Sequence, residues 1–288
     1  MKYVTLSDLA RTIRENFRKV PHDIDFVVGV PRSGVLAGSM IAEFLNLPLI
    51  DVDSLCSGAS PTGGRRLSFH SKSDREIQKA LVVDDTIFYG GSMKETRKKL
   101  APLSGKFDFV FMAVYLEGPC SDVDIWLEDL RGCIGPDCPF VLYEWNIFHH
   151  TGRIMSKCIY DIDGVLCVDP PDERTGQPYI DYIKSARPLF TPSSQIGEIV
   201  SYRLKKYEDV TREWLHENGI KFGSLTMFPA ESWKERADSH ISPADFKADI
   251  YSQRNAILFV ESDGYQALEI HRLTGKPVYC VETNELYS

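Results

Sequence analysis

The chain has 288 residues, 43% hydrophobic and 26% charged, and its 33 basic against 41 acidic side chains leave a net charge of −8. At roughly 100–200 residues per domain, this length predicts two domains, and the acidic balance excludes a general nucleic-acid binder, which needs clustered Lys and Arg to neutralise phosphates. No apolar run reaches the ~20 residues of a membrane-spanning helix; FDFVFMAVYL at 107–116 carries Asp108 and stops there.

Apolar Leu6, Leu9, Ala10, Ile13 and Phe17 recur at helical spacing behind the caps Thr5 and Ser7, an amphipathic and acid-containing start unlike a signal peptide. FVVGV (26–30) reads as a strand that leads through PRSG into a helix over Met40, Ile41, Phe44 and Leu45, and PLIDV (48–52) reads as the next strand. From Cys56 to Ser73 periodicity is lost, and SGASPTGGRRLSFHSKS reads as a long functional loop. Then come strand KALVVDD (79–85), a Gly-led helix at about 91–102, strand FDFVFMAVYL, and FVLYEWNIFHH (140–150) as a last strand closing the first domain. The polar TGR at 151–153 marks the boundary. The second half repeats the alternation, with strands KCIYDID (157–163), GEIVSY (197–202), FGSLTMF (222–228), AILFVES (256–262) and PVYCVE (277–282) between helical stretches. Strands alternating with helices predict parallel sheets covered on both faces. The expected fold class is α/β, two tandem doubly wound domains spanning 1–150 and 154–288. Seven cysteines, an odd number with no CxxC pair, predict reduced thiols in a soluble, cytoplasmic protein.

LVVDDTIFYGGSM (81–93) is a hydrophobic strand ending in two carboxylates, followed by a turn and a Gly-Gly-Ser helix start. Ligands of parallel sheets bind beyond the strand carboxyl ends, the amides of a Gly-rich helix N-terminus cradle phosphate, and Asp84 and Asp85 can accept hydrogen bonds from the hydroxyls of a sugar beside it. This segment resembles the phosphoribosyl-pyrophosphate (PRPP) signature of type I phosphoribosyltransferases. VGVPRSGVLAG (28–38) is similar to the pyrophosphate loop of that family. The resemblance implies that Pro31, Arg32, Ser33 and Gly34 surround the diphosphate, with a cis peptide expected at Arg32–Ser33. It implies that Gly90, Gly91 and Ser92 hold the 5-phosphate, and that Arg65 and Arg66 in the 56–73 loop clamp departing pyrophosphate. Phe88 and Tyr89 stand where many nucleobase enzymes carry Thr or Asp, which points away from a purine acceptor. Asp53 and Glu144 are both candidate bases for an alcohol acceptor, with nothing to choose between them.

CIYDIDGVLC (158–167) is an apolar strand ending in Asp-x-Asp-Gly. That spacing sets two carboxylates on one side of an extended chain, where one can attack phosphorus and the other can handle the leaving-group proton. The segment resembles the first motif of haloacid-dehalogenase-type (HAD) phosphatases, which implies Asp161 as nucleophile and Asp163 as acid/base. GEIVSYRLKKYEDVTREWLHENGI resembles the second-motif region of uncapped members, implying Ser201 as a phosphoryl contact and Arg203 as a phosphate or substrate contact. The family lysine is matched by Lys247, with Lys234 as the weaker alternative. FVESDGYQAL supplies Glu261 and Asp263, which with Asp161 and Asp163 would form a magnesium site. The stretch 164–196 is too short for a large cap.

Together these resemblances imply a bifunctional enzyme: a type I phosphoribosyltransferase-like domain, then an uncapped HAD-like Rossmannoid phosphatase, with Mg2+ at both sites. PRPP is the implied donor and a glycan hydroxyl the implied acceptor, as in systems that install ribofuranose in bacterial polysaccharides. Peripheral contact with a lipid-linked glycan and a homo-oligomer are compatible with this reading. The alternatives are a nucleobase phosphoribosyltransferase with an attached nucleotidase, and a regulatory protein that senses PRPP or nucleotides.

Overall fold

The structure, a computed structural model, describes residues 1–64, 78–135, 140–171 and 174–288. The chain divides into two compact units, Met1–Trp145 and Asn146–Ser288. Both are α/β and built on parallel sheets.

The first unit runs β1 (Lys2–Val4), α1 (Leu6–Glu15), β2 (Phe26–Gly29), α2 (Ser33–Leu45), β3 (Leu49–Asp51), α3 (Val52–Cys56), β4 (Gln78–Ile87), α4 (Gly91–Leu100), β5 (Phe107–Leu116), β6 (Ile125–Asp129) and β7 (Val141–Tyr143). Five strands form an all-parallel sheet in the order β3-β2-β4-β5-β6. Its central strands are hydrophobic without interruption because helices cover both faces. Side chains alternate across the sheet: Val27, Leu81, Val83 and Met112 pack with Leu9, Ile13, Ala37 and Ile41 of α1 and α2. Val28, Ala80, Val82 and Ala113 pack on the other face with Leu55, Met93 and Leu100 of α3 and α4. Thr5 and Asp8 close a capping box that starts α1.

The segment 140–150 differs from its expected long strand. Only Val141–Tyr143 is extended, and it pairs with β1 in a separate two-stranded parallel sheet before the chain turns. Strands β1 and β6 give no sequence signal, because the first has three residues and the second is an edge strand whose fully buried side chain is Leu127.

The second unit runs α5 (Gly152–Met155), β8 (Cys158–Tyr160), α6 (Gly176–Ser185), β9 (Ile196–Leu204), α7 (Glu208–Glu217), β10 (Phe222–Phe228), α8 (Trp233–Asp238), α9 (Pro243–Ser252), β11 (Leu258–Glu261), α10 (Gly264–Thr274), β12 (Val278–Cys280) and β13 (Glu285–Tyr287). Its six-stranded sheet has the order β10-β9-β8-β11-β12-β13, parallel except for β13. That last strand is unanticipated in the sequence; Asn284, in the left-handed region at φ 55°, turns the chain back along β12. Ser242 caps α9 in a second capping box with Asp245, and Pro243 at its first turn fits the same start.

Candidate functional site

In each large sheet the chain builds from its first strand to one side and then crosses to the other, creating a switch point where ligands of α/β folds bind. In the first unit this point lies between β2 and β4. Gly29 pairs with Val83, so β2 ends one residue short of Asp84 and leaves both acids beyond it. The Val30 amide donates to the Val83 carbonyl at 2.9 Å, and α2 then starts at Ser33. A Cβ at Gly34 would sit 2.6 Å from the Val83 oxygen and 3.0 Å from the Asp84 Cα. Glycine is therefore what lets the helix start press against the acid pair.

The cis peptide of this loop is Pro31–Arg32, one bond before the expected Arg32–Ser33. Arg32 already has helical dihedrals and Ser33 opens α2, so the bond between them belongs to a helical turn, which trans peptides build. Pro31 and Arg32 are exposed, Ser33 is half-buried and Gly34 is buried.

Asp84 and Asp85 are 7% and 5% exposed. Burial, and then the charge of Asp85, push the Asp84 carboxyl well above its ordinary range, while a hydrogen bond with Ser92 works the other way. The Trp145 indole N–H donates to Asp85 Oδ2 at 2.6 Å, a contact that sequence pattern gave no reason to expect. Gly90 caps α4 at φ 71°, and a Cβ there would meet the Cys120 sulfur at 2.5 Å. Gly91 faces open space, and Phe88 and Tyr89 form an exposed edge-to-face pair at 4.3 Å on the same turn. Arg65 and Arg66 lie outside the described residues.

Neither candidate base is held at this pair. Asp53 accepts from exposed Lys99 at 2.8 Å, and Glu144 accepts from the Leu6 amide at 2.7 Å. Glu117, just past the end of β5, is near enough to feel the charge of Asp85. Burial raises its carboxyl, Asp85 adds to the rise, and the Tyr143 hydroxyl donates to it at 2.7 Å. Its signal in the sequence was an acid at a strand tip, the same rule that picked out Asp84 and Asp85. A cavity of about 880 Å3 in this unit opens elsewhere, at the amino ends of β4 and β5, over Lys79, Phe107 and Asp108.

The second switch point lies between β8 and β11. The Asp161 amide donates to the Val260 carbonyl at 3.0 Å, and a cavity of about 530 Å3 opens there, with Asp161, Asp163, Lys247 and Asp263 in its wall. Lys247, on α9, is 2% exposed and sends its ammonium to Asp161 Oδ2 and Glu261 Oε2 at 2.7 Å each and to Gln266 at 2.9 Å. Burial pushes the Asp161 carboxyl up to about 7, because the single ammonium of Lys247 is shared with Glu261 and cannot fully offset it. Asp163 goes the other way. Burial opposes its charge, but the Arg203 guanidinium at 3.1–3.2 Å through Nε, with Tyr182 OH at 3.2 Å, holds it below the ordinary carboxylate range.

Three expected roles meet different surroundings. Arg203 is fully enclosed and spent on Asp163. Glu261 is fully buried behind the cavity, binding Lys247 and accepting the Ser262 amide at 3.0 Å. Ser201 is fully buried, and its Oγ accepts from the Arg203 amide at 3.3 Å. Lys234, at the first turn of α8, lies outside the cavity wall. Sequence reasoning missed Asp169, Arg174, Tyr179, Arg236, Gln266 and Glu282, all on the cavity; they come from connections after strands, where no motif spacing marks them.

Among the described residues no three His, Cys, Asp or Glu side chains are arranged as a metal-binding group. The donor type is that of a hard cation: Asp161, Asp163 and Asp263 all line the cavity with oxygen atoms. Burial first, and then Asp163, Glu261 and Asp263, raise the carboxyl of neighbouring Asp169, and the charge of Arg174 offsets this only in part.

No family model and no curated protein matches the chain. Solved structures similar to part of it include the xanthine-guanine-hypoxanthine phosphoribosyltransferase of Helicobacter pylori, at 14% identity and TM-score 0.36 over 51% of this chain and 93% of that one. The purine phosphoribosyltransferase of Pyrococcus horikoshii aligns at 16% identity and TM-score 0.35 over 50% of this chain and 92% of that one. The orotate phosphoribosyltransferase of Aeropyrum pernix aligns at 19% identity and TM-score 0.32 over 44% and 71%. At such values the likeness fixes no activity for this chain. Among the described residues no helix is long and apolar enough to cross a membrane.

Proposed function

We propose that the chain is a bifunctional enzyme. Residues 1–150 transfer a 5-phosphoribosyl group from PRPP to a non-nucleobase hydroxyl, a glycan being the acceptor that best fits, and residues 154–288, an uncapped HAD-like domain, remove the 5-phosphate. One observation carries the reading: both sheets bring paired carboxylates to their switch points, beside a helix start that Gly34 lets approach in the first unit and a buried lysine in the second. A transferase that leaves a phosphomonoester and a phosphatase that removes one are consecutive chemistries, and tethering raises the concentration of the intermediate at the second site.

In the first step, Asp84 and Asp85 would accept from the ribose hydroxyls while the amides opening α2 and α4 face the diphosphate and the 5-phosphate. Arg32 and Ser33 complete the diphosphate contacts, and Ser92 adds its hydroxyl to the 5-phosphate. In the second step, a carboxylate oxygen of Asp161 attacks phosphorus, the ribosyl alkoxide leaves and takes a proton, and water then cleaves the phosphoaspartate to regenerate Asp161 and release inorganic phosphate. Lys247 offsets charge on the nucleophile. The pairing of Asp163 with Arg203 favours its base role towards that water; to donate to the leaving oxygen it must first take up a proton. Magnesium held by Asp161 and Asp263, with Asp163, would neutralise charge on the phosphoryl oxygens.

Incubation with PRPP, Mg2+ and candidate acceptors, followed by mass spectrometry, tests both halves. The wild-type chain is expected to add pentosyl mass to a glycan, and Asp161→Asn to stop at the phosphopentosyl adduct. Nucleotide formation with uracil, orotate or a purine, and no glycan addition, would replace this reading with nucleobase salvage. PRPP binding without pyrophosphate release from any acceptor would replace it with a sensor.

A further inference from the structure

The cavity beside Asp161 carries charges of both signs. Lys247 serves Asp161 and Glu261 together, and Arg203 serves Asp163. Two further guanidiniums, Arg174 and Arg236, line the same cavity, and among the described residues neither is in an ion pair. Arg236 lies 4.8 Å over the Tyr202 ring and donates one N–H to the Tyr202 carbonyl at 2.9 Å, and among the described residues it has no carboxylate partner. Arg174 is exposed and, among the described residues, makes no hydrogen bond or ion pair, though its charge acts on Asp163 and Asp169. Both act electrostatically on the buried Tyr179 phenol, as do Arg203 and Asp163. A guanidinium fixed by a ring and a carbonyl in the wall of a concave surface keeps N–H groups with which to receive a planar or tetrahedral anion. The volume of about 530 Å3 is that of a site for a whole small molecule, which is ~300–1,000 Å3, rather than for one phosphoryl group.

We propose that the substrate of this site carries a second anionic group, a phosphate or carboxylate besides the scissile phosphate, and that Arg174 and Arg236 bind it. This rests on the phosphatase reading above and extends it: in the coupled reaction the second anion belongs to the acceptor, which is therefore acidic.

Full-length protein supplied with Mg2+ is assayed on p-nitrophenyl phosphate, ribose 5-phosphate and ribose 1,5-bisphosphate, with loss of the 5-phosphate followed by mass spectrometry. Two lost charge-assisted contacts predict that the bisphosphate is preferred in kcat/KM by roughly ten- to a hundredfold, and that Arg174→Ala and Arg236→Lys each bring the ratio of the two ribose substrates towards one. Arg174 is an exposed loop residue, so its variant tests the point without threatening the fold. Equal turnover of the two ribose phosphates by wild type, or a preference that survives both substitutions, overturns the inference and leaves the phosphatase reading in place. Equal loss on all three substrates in the Arg174 variant also overturns it, since the arginine then serves the scissile phosphate. Absence of turnover on every phosphomonoester removes the phosphatase reading, and the inference with it.

Discussion

Lys247 shows how one side chain can hold a site and a core at once. Its ammonium is enclosed with two carboxylates, Asp161 and Glu261, each at 2.7 Å. Taking away one partner of a buried ionic cluster strands the others, at a cost of about 3–5 kcal/mol. Lys247→Met is therefore expected to lower the urea midpoint of unfolding by a matching amount. Adding Glu261→Gln should return part of the loss, because substitutions in contact do not add. Asp84 makes the complementary case for pH. Its carboxyl is raised well above 3.8 by burial and by Asp85, so the folded state holds a proton that the unfolded chain has released. The stability contributed by this group is complete below about pH 3.8 and is lost as the pH rises through the raised folded value. Asp84→Asn removes the titration, so its thermal midpoint relative to wild type should improve as the pH is raised above 4; a difference that stays flat between pH 4 and 8 would contradict the assignment. At this scale the sequence displayed the acids through their spacing at strand tips. It did not display their partners: Glu261, expected as a direct or water-mediated metal ligand, also anchors Lys247.

The elements that bear these residues are set by close approaches as much as by hydrophobic pattern. Helix α2 reaches the acid pair because Gly34 has no side chain to meet the Val83 carbonyl. Gly34→Ala should force α2 away from β4 and cost about 1–3 kcal/mol, the usual range for overpacking, read as a lower thermal midpoint by circular dichroism. An unchanged midpoint would show that α2 can shift freely. The glycine signal in VGVPRSGVLAG was legible because Gly and Pro punctuate strand-to-helix turns. The fate of 140–150 was not legible, since a run of apolar and aromatic residues reads the same whether it forms one long strand or a three-residue strand followed by turns. Its neighbour decides: β1 offers three residues for pairing, and beyond them Trp145 turns to Asp85.

Each unit owns a sheet covered by its own helices, and the first keeps two apolar clusters, one on each face of its sheet. Units of this size bury enough surface to fold alone, so residues 1–145 and 146–288 expressed separately should each unfold cooperatively in urea. Failure of both pieces to give a sigmoidal transition would show that neither core suffices by itself. The division into two α/β halves was open to inspection in the bare sequence, because helical and strand periodicity and strand-tip acids are local properties that a window of ten residues contains. The wiring of charge was not. Asp161 meets Lys247 across 86 positions, Asp163 meets Arg203 across 40, and Trp145 meets Asp85 across 60. Such partners are chosen by how distant segments pack, and an ionisable group buried in a low-dielectric interior takes whichever counter-charge the fold brings within reach; only the folded chain could decide which acids are free for chemistry and which are held.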